Sequence, residues 1–163
     1  AVILRHDPRY LFVHIGGGVK LKEVIEYKEK YNLKNILTLP YQPREYIHIS
    51  LASADIQVVS LGDNCSGFTH PNKIYGSMFI GKPILYIGPD DSHISEILDK
   101  CPGNISIRHG ETNLLVESLI SFSKKSEKDI NLIGYNNKIF ANKFFHPKIL
   151  IKKMIKSIES VVN

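Results

Sequence analysis

Short, nearly continuous apolar runs alternate along this chain with longer stretches in which apolar residues recur every three or four positions. "YLFVHIG" (10–16) precedes "VKLKEVIEYKEKYN" (19–32), where Leu21, Val24 and Ile25 form an apolar stripe among lysines and glutamates. "NILTLP" (35–40) precedes "PREYIHISLASA" (43–54), and "DIQVVSL" (55–61) leads through "GDNCSGFTH" into a helix opened by "PNK". "PILYIG" (83–88) precedes "SHISEILDK" (92–100), with Ser92 as N-cap, and "NISIRHG" (104–110) precedes "ETNLLVESLISFSKK" (111–125). Helices over 130–145 and 148–162 finish the chain, and "AVILRHDP" reads as a helix end and turn before the first strand.

Strands alternating with helices of this length predict an α/β fold with a doubly wound parallel sheet of about five strands. The runs "YLFVHI", "IQVVSL" and "ILYIG" read as strands buried on both faces. The first strand–helix unit is incomplete, so the 163 residues read as one domain entered partway through. The opening "AVILRHDPRY" has neither a methionine nor a charged leader with an apolar run, which suits a piece of a longer polypeptide. In the last helix Ile151, Met154, Ile155, Ile158 and Val162 make one stripe with Lys152, Lys153 and Lys156 opposite. Core burial is the favoured reading of that stripe, and a membrane surface the lesser one.

Composition narrows the partners. Cys65 and Cys101 are too few for a disulfide framework and have no metal-ligand spacing, so they read as reduced, cytosolic thiols. The net charge of +5 suits phosphorylated ligands, and no arginine-rich tract with interleaved aromatics points to nucleic acid. No metal, cofactor or nucleophile–base–acid set can be assembled from the sequence, so no catalytic residue is assigned.

Three loops carry candidate chemistry. "HIGGGVKLKE" resembles a phosphate loop, but Leu21 stands where a dinucleotide fingerprint wants its third glycine, and Pro40-Tyr41 stands where it wants a ribose-binding acid. A turn needing positive φ explains at least one of its glycines. "LPYQPRE" places Tyr41 at the C-terminal edge of the sheet, as a ring to stack on a base or as part of a proline-stiffened connector. "SGFTHPNKIYGSMFIGKP" is the strongest signal. Pro71 suits the first helical position with Thr69 or His70 near the cap, and Lys73 in the first turn opposes the helix dipole unless an anion sits before it. His70 reads as a cap somewhat more than as a ligand contact, and Asp90, Asp91 and His93 read as a loop capping its own helix, with ligand contact the lesser reading.

The ordered series from "FVHIGGGVKLKE" to "HPNKIYGSMFIGKPIL" resembles the C-terminal, donor-binding domain of GT-B glycosyltransferases. The nearest kind is the retaining family-4 group that builds bacterial surface polysaccharides. The resemblance covers roughly residues 5 to 162 and implies a Rossmann-like half of a two-domain enzyme. It implies a nucleotide-diphosphate sugar as partner, a UDP-sugar by expectation, and an acceptor that is a saccharide or lipid-linked. Pro40, Tyr41 and Gln42 match the loop against the base; Gly67, Phe68, Thr69, His70, Pro71, Asn72 and Lys73 match the loop and helix start around diphosphate and sugar. Many relatives carry two glutamates eight residues apart, the second holding the ribose, but those positions here are Phe68 and Gly76. A small residue at 76 would let the helix approach the nucleotide, with Asn72 or Lys73 replacing the lost polar contacts. The family's last helix commonly crosses to the N-terminal domain, so part of the 151–162 stripe could serve a surface outside this chain.

The resemblance further implies a cytoplasmic protein, peripheral at the inner face of the membrane where the acceptor is lipid-linked. It implies a missing N-terminal Rossmann-like domain, without which the chain is inactive. Two other readings stay open: another GT-B enzyme such as a nucleotide-sugar 2-epimerase, and a donor-binding partner subunit or non-catalytic nucleotide-binding module.

Overall fold

The computed structural model describes residues 1–162, with the side chain of Val162 left aside, and gathers them into two compact units meeting in sequence at residues 50 and 51. All five predicted strands are present: β1 (Phe12–Ile15), β2 (Ile36–Leu39), β3 (Gln57–Ser60), β4 (Ile84–Ile87) and β5 (Ile105–Ile107). They pair in parallel as two sheets, β1–β2 in the first unit and β3–β4–β5 in the second. Seven α-helices follow the strands as predicted: α1 (Leu21–Lys30), α2 (Ile47–Ala52), α3 (Lys73–Ile80), α4 (His93–Leu98), α5 (Thr112–Ser123), α6 (Glu127–Phe144) and α7 (Pro147–Val162). None of the described helices is long and apolar enough to cross a membrane.

In the first unit β1 pairs with β2 in the register Phe12↔Ile36 to Ile15↔Leu39. Leu4, Tyr10 and Leu33 are buried, and buried Asn35 donates from Nδ2 to the Ala1 carbonyl at 3.0 Å. Residues 1–8 form turns rather than the expected helix end: Asp7 N–H bonds Leu4 O at 3.2 Å, and the Asp7 carboxylate holds the Arg9 guanidinium at 2.6 Å. That pairing closes a short turn, which lacks the chain length for a helical ladder. β1 is also not buried on both faces, since Val13 and Ile15 remain exposed. No residue of α1 is fully buried, so its stripe of Leu21, Val24 and Ile25 covers the unit only partly.

The second unit holds the larger core. Val59, Leu61, Ile74, Met78, Ile84, Tyr86, Ile94, Ile97, Leu98, Cys101 and Ala141 pack together around the three-stranded sheet. β4, the central strand, buries Ile84, Leu85 and Tyr86 on both faces and leaves Ile87 half-buried, because neighbouring strands and helices close around it; Val58 on edge strand β3 is exposed. Burial pushes the Cys101 thiol up to about 11, so this cysteine behaves as a small apolar side chain.

α6 is locked onto this core by two sequence features. A Cβ at Gly134 would lie 1.9 Å from the Gly81 carbonyl oxygen, so only glycine lets the helix sit against the turn that ends α3. Gly81 itself takes the left-handed conformation (φ 81°) expected of a residue that stops a helix. Buried Asn137 and Asn104 exchange side-chain hydrogen bonds at 2.8 and 2.9 Å. Asn137 Nδ2 also donates to Lys82 O (2.9 Å), Asn104 Nδ2 to Cys101 O (2.7 Å), and Asn104 Oδ1 accepts from Ile84 N (2.8 Å). Both amide groups are therefore fully used, as buried polar groups require.

α7 departs from its favoured reading. Ile151, Met154, Ile155 and Ile158 are 48–65% exposed, so the stripe is not core; Val162 lies outside the described side chains. Periodicity alone makes the helix amphipathic, but no described element covers its apolar face.

Candidate functional site

The glycine loop of the first unit is explained by its own geometry. Gly16 and Gly18 have φ of 108° and 140°, which only glycine adopts readily. Gly17 is required for another reason. The Tyr41 ring lies on the loop, and a Cβ at Gly17 would meet ring atom Cε2 at 2.9 Å. Tyr41 nonetheless stays 78% exposed, so the ring offers most of its surface to solvent. Pro40 is exposed beside it, and Gln42 turns its Nε2 back to Pro40 O at 3.0 Å, which stiffens the connector. The tyrosine is thus held on a fixed backbone platform at the C-terminal end of β2.

In the second unit the loop after β3 is shaped by Cys65. Its carbonyl accepts from Phe68 N (3.2 Å), Thr69 N (3.1 Å) and Thr69 Oγ1 (3.3 Å), while Gly67 takes φ 79° to make the bend. Ser66 Oγ donates to Asp91 O, tying this loop to the one that precedes α4. A cavity of about 160 Å³ opens between the two loops, lined by Leu61, Gly67, Phe68, Thr69, His70 and His93. Phe68 is 89% exposed at its rim, an unusual place for a phenylalanine with no contact to satisfy it.

Of the eight sequence-predicted residues in this unit, Gly67, Phe68, Thr69 and His70 share one cavity, and Pro71, Asn72, Lys73 and Gly76 do not line it. Pro71 lies before the helix, with its carbonyl accepting from Ile74 N at 3.3 Å, and Asn72 rather than Thr69 or His70 occupies the cap position. Neither Pro71 at the first helical position nor a side-chain cap is found, because Thr69 spends its hydroxyl on Cys65 O. Lys73 opens α3 with its surface still exposed, although partial burial of the ammonium lowers its pKa. Gly76 is half-buried inside α3, where a Cβ would stand 3.3 Å from Leu51 Cδ1; close packing by Leu51 accounts for a small residue here.

His93 is the residue sequence reading placed elsewhere. The Ser92 N-cap is confirmed, accepting from Ser95 N at 3.2 Å, but His93 faces the cavity instead of serving only its own helix. Its ring centroid is 4.6 Å from that of His70. A buried network fixes this end of α4: Tyr86 OH contacts Ser92 Oγ (2.9 Å) and Pro89 O (3.2 Å), and Ser95 Oγ donates to Pro89 O (3.0 Å). Gly88 is needed beside it, since a Cβ there would lie 2.4 Å from the Tyr86 hydroxyl. His109, from the far side of β5, contacts Leu61 O at 2.9 Å, and Asp90 pairs with Arg108. The His109–Leu61 and Asp90–Arg108 partnerships have no local sequence signal, because each joins residues from different strand–loop units. Among the described residues no cluster of three or more His, Cys, Asp or Glu is placed to hold a metal ion.

Comparison with known proteins places this geometry. No protein-family model matches the chain. In sequence it is similar to the probable glycosyltransferase WbjE of Pseudomonas aeruginosa, 27% identical over 110 residues that make up 64% of this chain and 28% of WbjE. In fold it is similar to crystal structures of Anabaena HepE in complex with UDP-glucose and with UDP, each at TM-score 0.77 over 98% of this chain, with 16% and 14% identity. Sucrose-phosphate synthase from Thermosynechococcus elongatus is similar over 92% of the chain at TM-score 0.75 and 13% identity. The chain spans 43% of the HepE chain and 38% of the synthase, less than half of either. The α/β architecture expected from the sequence, a Rossmann-like half of a GT-B fold, is thus the fold of this chain.

Proposed function

We propose that this chain is the donor-binding domain of a retaining glycosyltransferase, and that it holds a nucleotide-diphosphate sugar, a UDP-sugar in the first instance. The observation that carries the reading is the cavity between the β3 and β4 loops, walled by Gly67, Phe68, Thr69 and His70 and followed at once by Lys73 at the start of α3. An open α/β sheet collects ligands at this edge, and the free N–H groups of a helix start favour a phosphate. Similarity to WbjE and to UDP-bound HepE supports the same reading.

In this assignment the backbone amides of Gly67, His70 and Asn72, the residues of this stretch whose N–H is neither drawn to Cys65 O nor replaced by proline, receive the diphosphate together with the Lys73 ammonium. Charge accumulates on that group as the glycosidic bond to the sugar breaks, and donors already oriented toward it stabilise the departing nucleotide without reorganising. Lys73 reconciles its position with the helix dipole by having an anion in front of it. Tyr41, propped on Gly16 and Gly17, offers its ring to the base, and Pro40 and Gln42 hold that loop. Gly76 leaves the ribose without the glutamate that many relatives use. A companion N-terminal domain supplies the acceptor site, with a lipid-linked or saccharide acceptor at the cytoplasmic face of the membrane, and this chain alone does not transfer sugar.

Calorimetric titration of UDP, GDP and a control nucleotide into the intact protein and its Lys73→Ala variant tests this. Loss of one charge-assisted contact of about 1.5–3 kcal/mol weakens UDP binding by roughly ten- to a hundredfold. Equal binding by both variants removes Lys73 from the phosphate site, and no nucleotide binding by the intact protein rejects the donor-domain reading.

A further inference from the structure

Three of the seven histidines, His70, His93 and His109, meet at the C-terminal edge of β3–β4–β5. His109 is engaged with Leu61 O, but His70 and His93 are differently placed. Their rings come from separate loops, stand 4.6 Å apart at a 59° tilt, and wall the same cavity. His70 Nε2 is buried with no hydrogen-bond partner among the described residues, so an atom able to bond is left unused in a ring that lines the cavity.

The surroundings offer His70 little reward for becoming charged. From α3 the Tyr75 ring packs 5.2 Å away, and the cation of Lys73 lies on the same helix. From α4 comes His93, whose Nδ1 is 3.8 Å from Glu96, an exposed carboxylate on the solvent side of that imidazole. On the loop before α4, Asp90 is taken by Arg108, and Asp91 is exposed with its carbonyl held by Ser66. Burial first, and then the neighbouring imidazole, hold the His70 pKa below the ordinary histidine value. Two imidazolium rings this close repel one another unless an anion offsets their charge.

We infer that His70 and His93 form one protonatable unit of the phosphate pocket, and that a diphosphate entering the cavity draws one proton onto the pair, so that donor binding is coupled to proton uptake. This rests on the nucleotide-sugar reading and supplies its ionic chemistry. The proton comes from solvent and settles on an imidazole nitrogen, and no covalent bond to the ligand forms. The cavity of about 160 Å³ has room for phosphoryl oxygens, not for a whole nucleotide. The sign follows from linkage. Burial disfavours the charged form of His70 in the free protein, and the phosphate-bound pair holds its proton to higher pH. Affinity therefore rises as pH falls through the interval between the bound and free pKa values, and levels off below it.

The probe is UDP-glucose, whose diphosphate is esterified at both ends and does not itself titrate near neutral pH. Calorimetry in PIPES, HEPES and Tris at pH 7 counts protons from the dependence of the heat on buffer ionisation. Uptake of about half to one proton is expected, with affinity rising up to about tenfold per pH unit of acidification. The His70→Gln/His93→Gln double variant should bind with no proton uptake and a flat pH profile. Histidine ring resonances in wild-type protein, titrated with and without UDP-glucose, give the same answer should the double variant fail to fold, because the pair must take up its one proton at higher pH in the complex. Binding without proton exchange, or uptake retained in the folded double variant, overturns the inference and leaves the donor reading standing. Failure of both UDP-glucose and GDP-mannose to bind the intact protein overturns the donor reading, and the coupling with it.

Discussion

α6 and α7 follow one another, both amphipathic and both carrying lysines. Yet α6 buries Ile133, Gly134, Asn137 and Ala141, whereas Ile151, Met154, Ile155 and Ile158 of α7 stay about half or more exposed. What separates them is not the strength of the pattern, for α7 has the cleaner stripe. α6 has a glycine where a backbone carbonyl must pass and an asparagine where a partner amide and a carbonyl wait. Periodicity says that a helix has a dry side. Shape and hydrogen-bond complementarity decide what lies against it.

Gly134→Ala should break the α6 side of this comparison hardest. Alanine gains about 1 kcal/mol in helix propensity, but a Cβ driven against the Gly81 backbone costs about 3 kcal/mol or more by overpacking. A lowered urea midpoint checks it, and an unchanged one would mean that α6 is free to shift outward. Asn137→Ala ranks next: it strands the Asn104 amide and the Lys82 carbonyl in the core, for an expected loss of about 1–3 kcal/mol in the same measurement. Ile155→Gln on α7 should sharpen the contrast by doing almost nothing, within about 0.5 kcal/mol, as for surface substitutions away from any cap or cavity. A large loss there would show that α7 is buried against a surface of the same protein.

How far the sequence could be read follows the same division. Every strand and helix was legible, because five apolar runs and the helical stripes between them are local patterns. The Ser92 cap was legible for the same reason, since a cap is set by residues three apart. The pairing of strands into two sheets, the exposure of Val13, Ile15 and Val58, and the bare face of α7 were not, because burial depends on what the whole fold places alongside.

In the site, the bend at Gly67 and the placing of His70 near the start of α3 could be read from "SGFTHPNK". His93 could not. Its turn toward the cavity depends on Ser66 tying two loops together and on Tyr86 holding Ser92 from beneath. Gly76, a puzzle of helix propensity when read alone, becomes a packing residue once Leu51 is seen against it.

The Tyr41 ring on the glycine loop has a consequence for how this loop can vary. Position 17 needs glycine only while position 41 carries a ring, since its backbone is otherwise ordinary. The two sites are thus coupled in one direction: a side chain enters at 17 only where the residue at 41 is smaller or its exposed ring moves aside, whereas position 41 can shrink alone. Gly16 stands outside that bargain. Its φ of 108° keeps it glycine whatever its neighbours become.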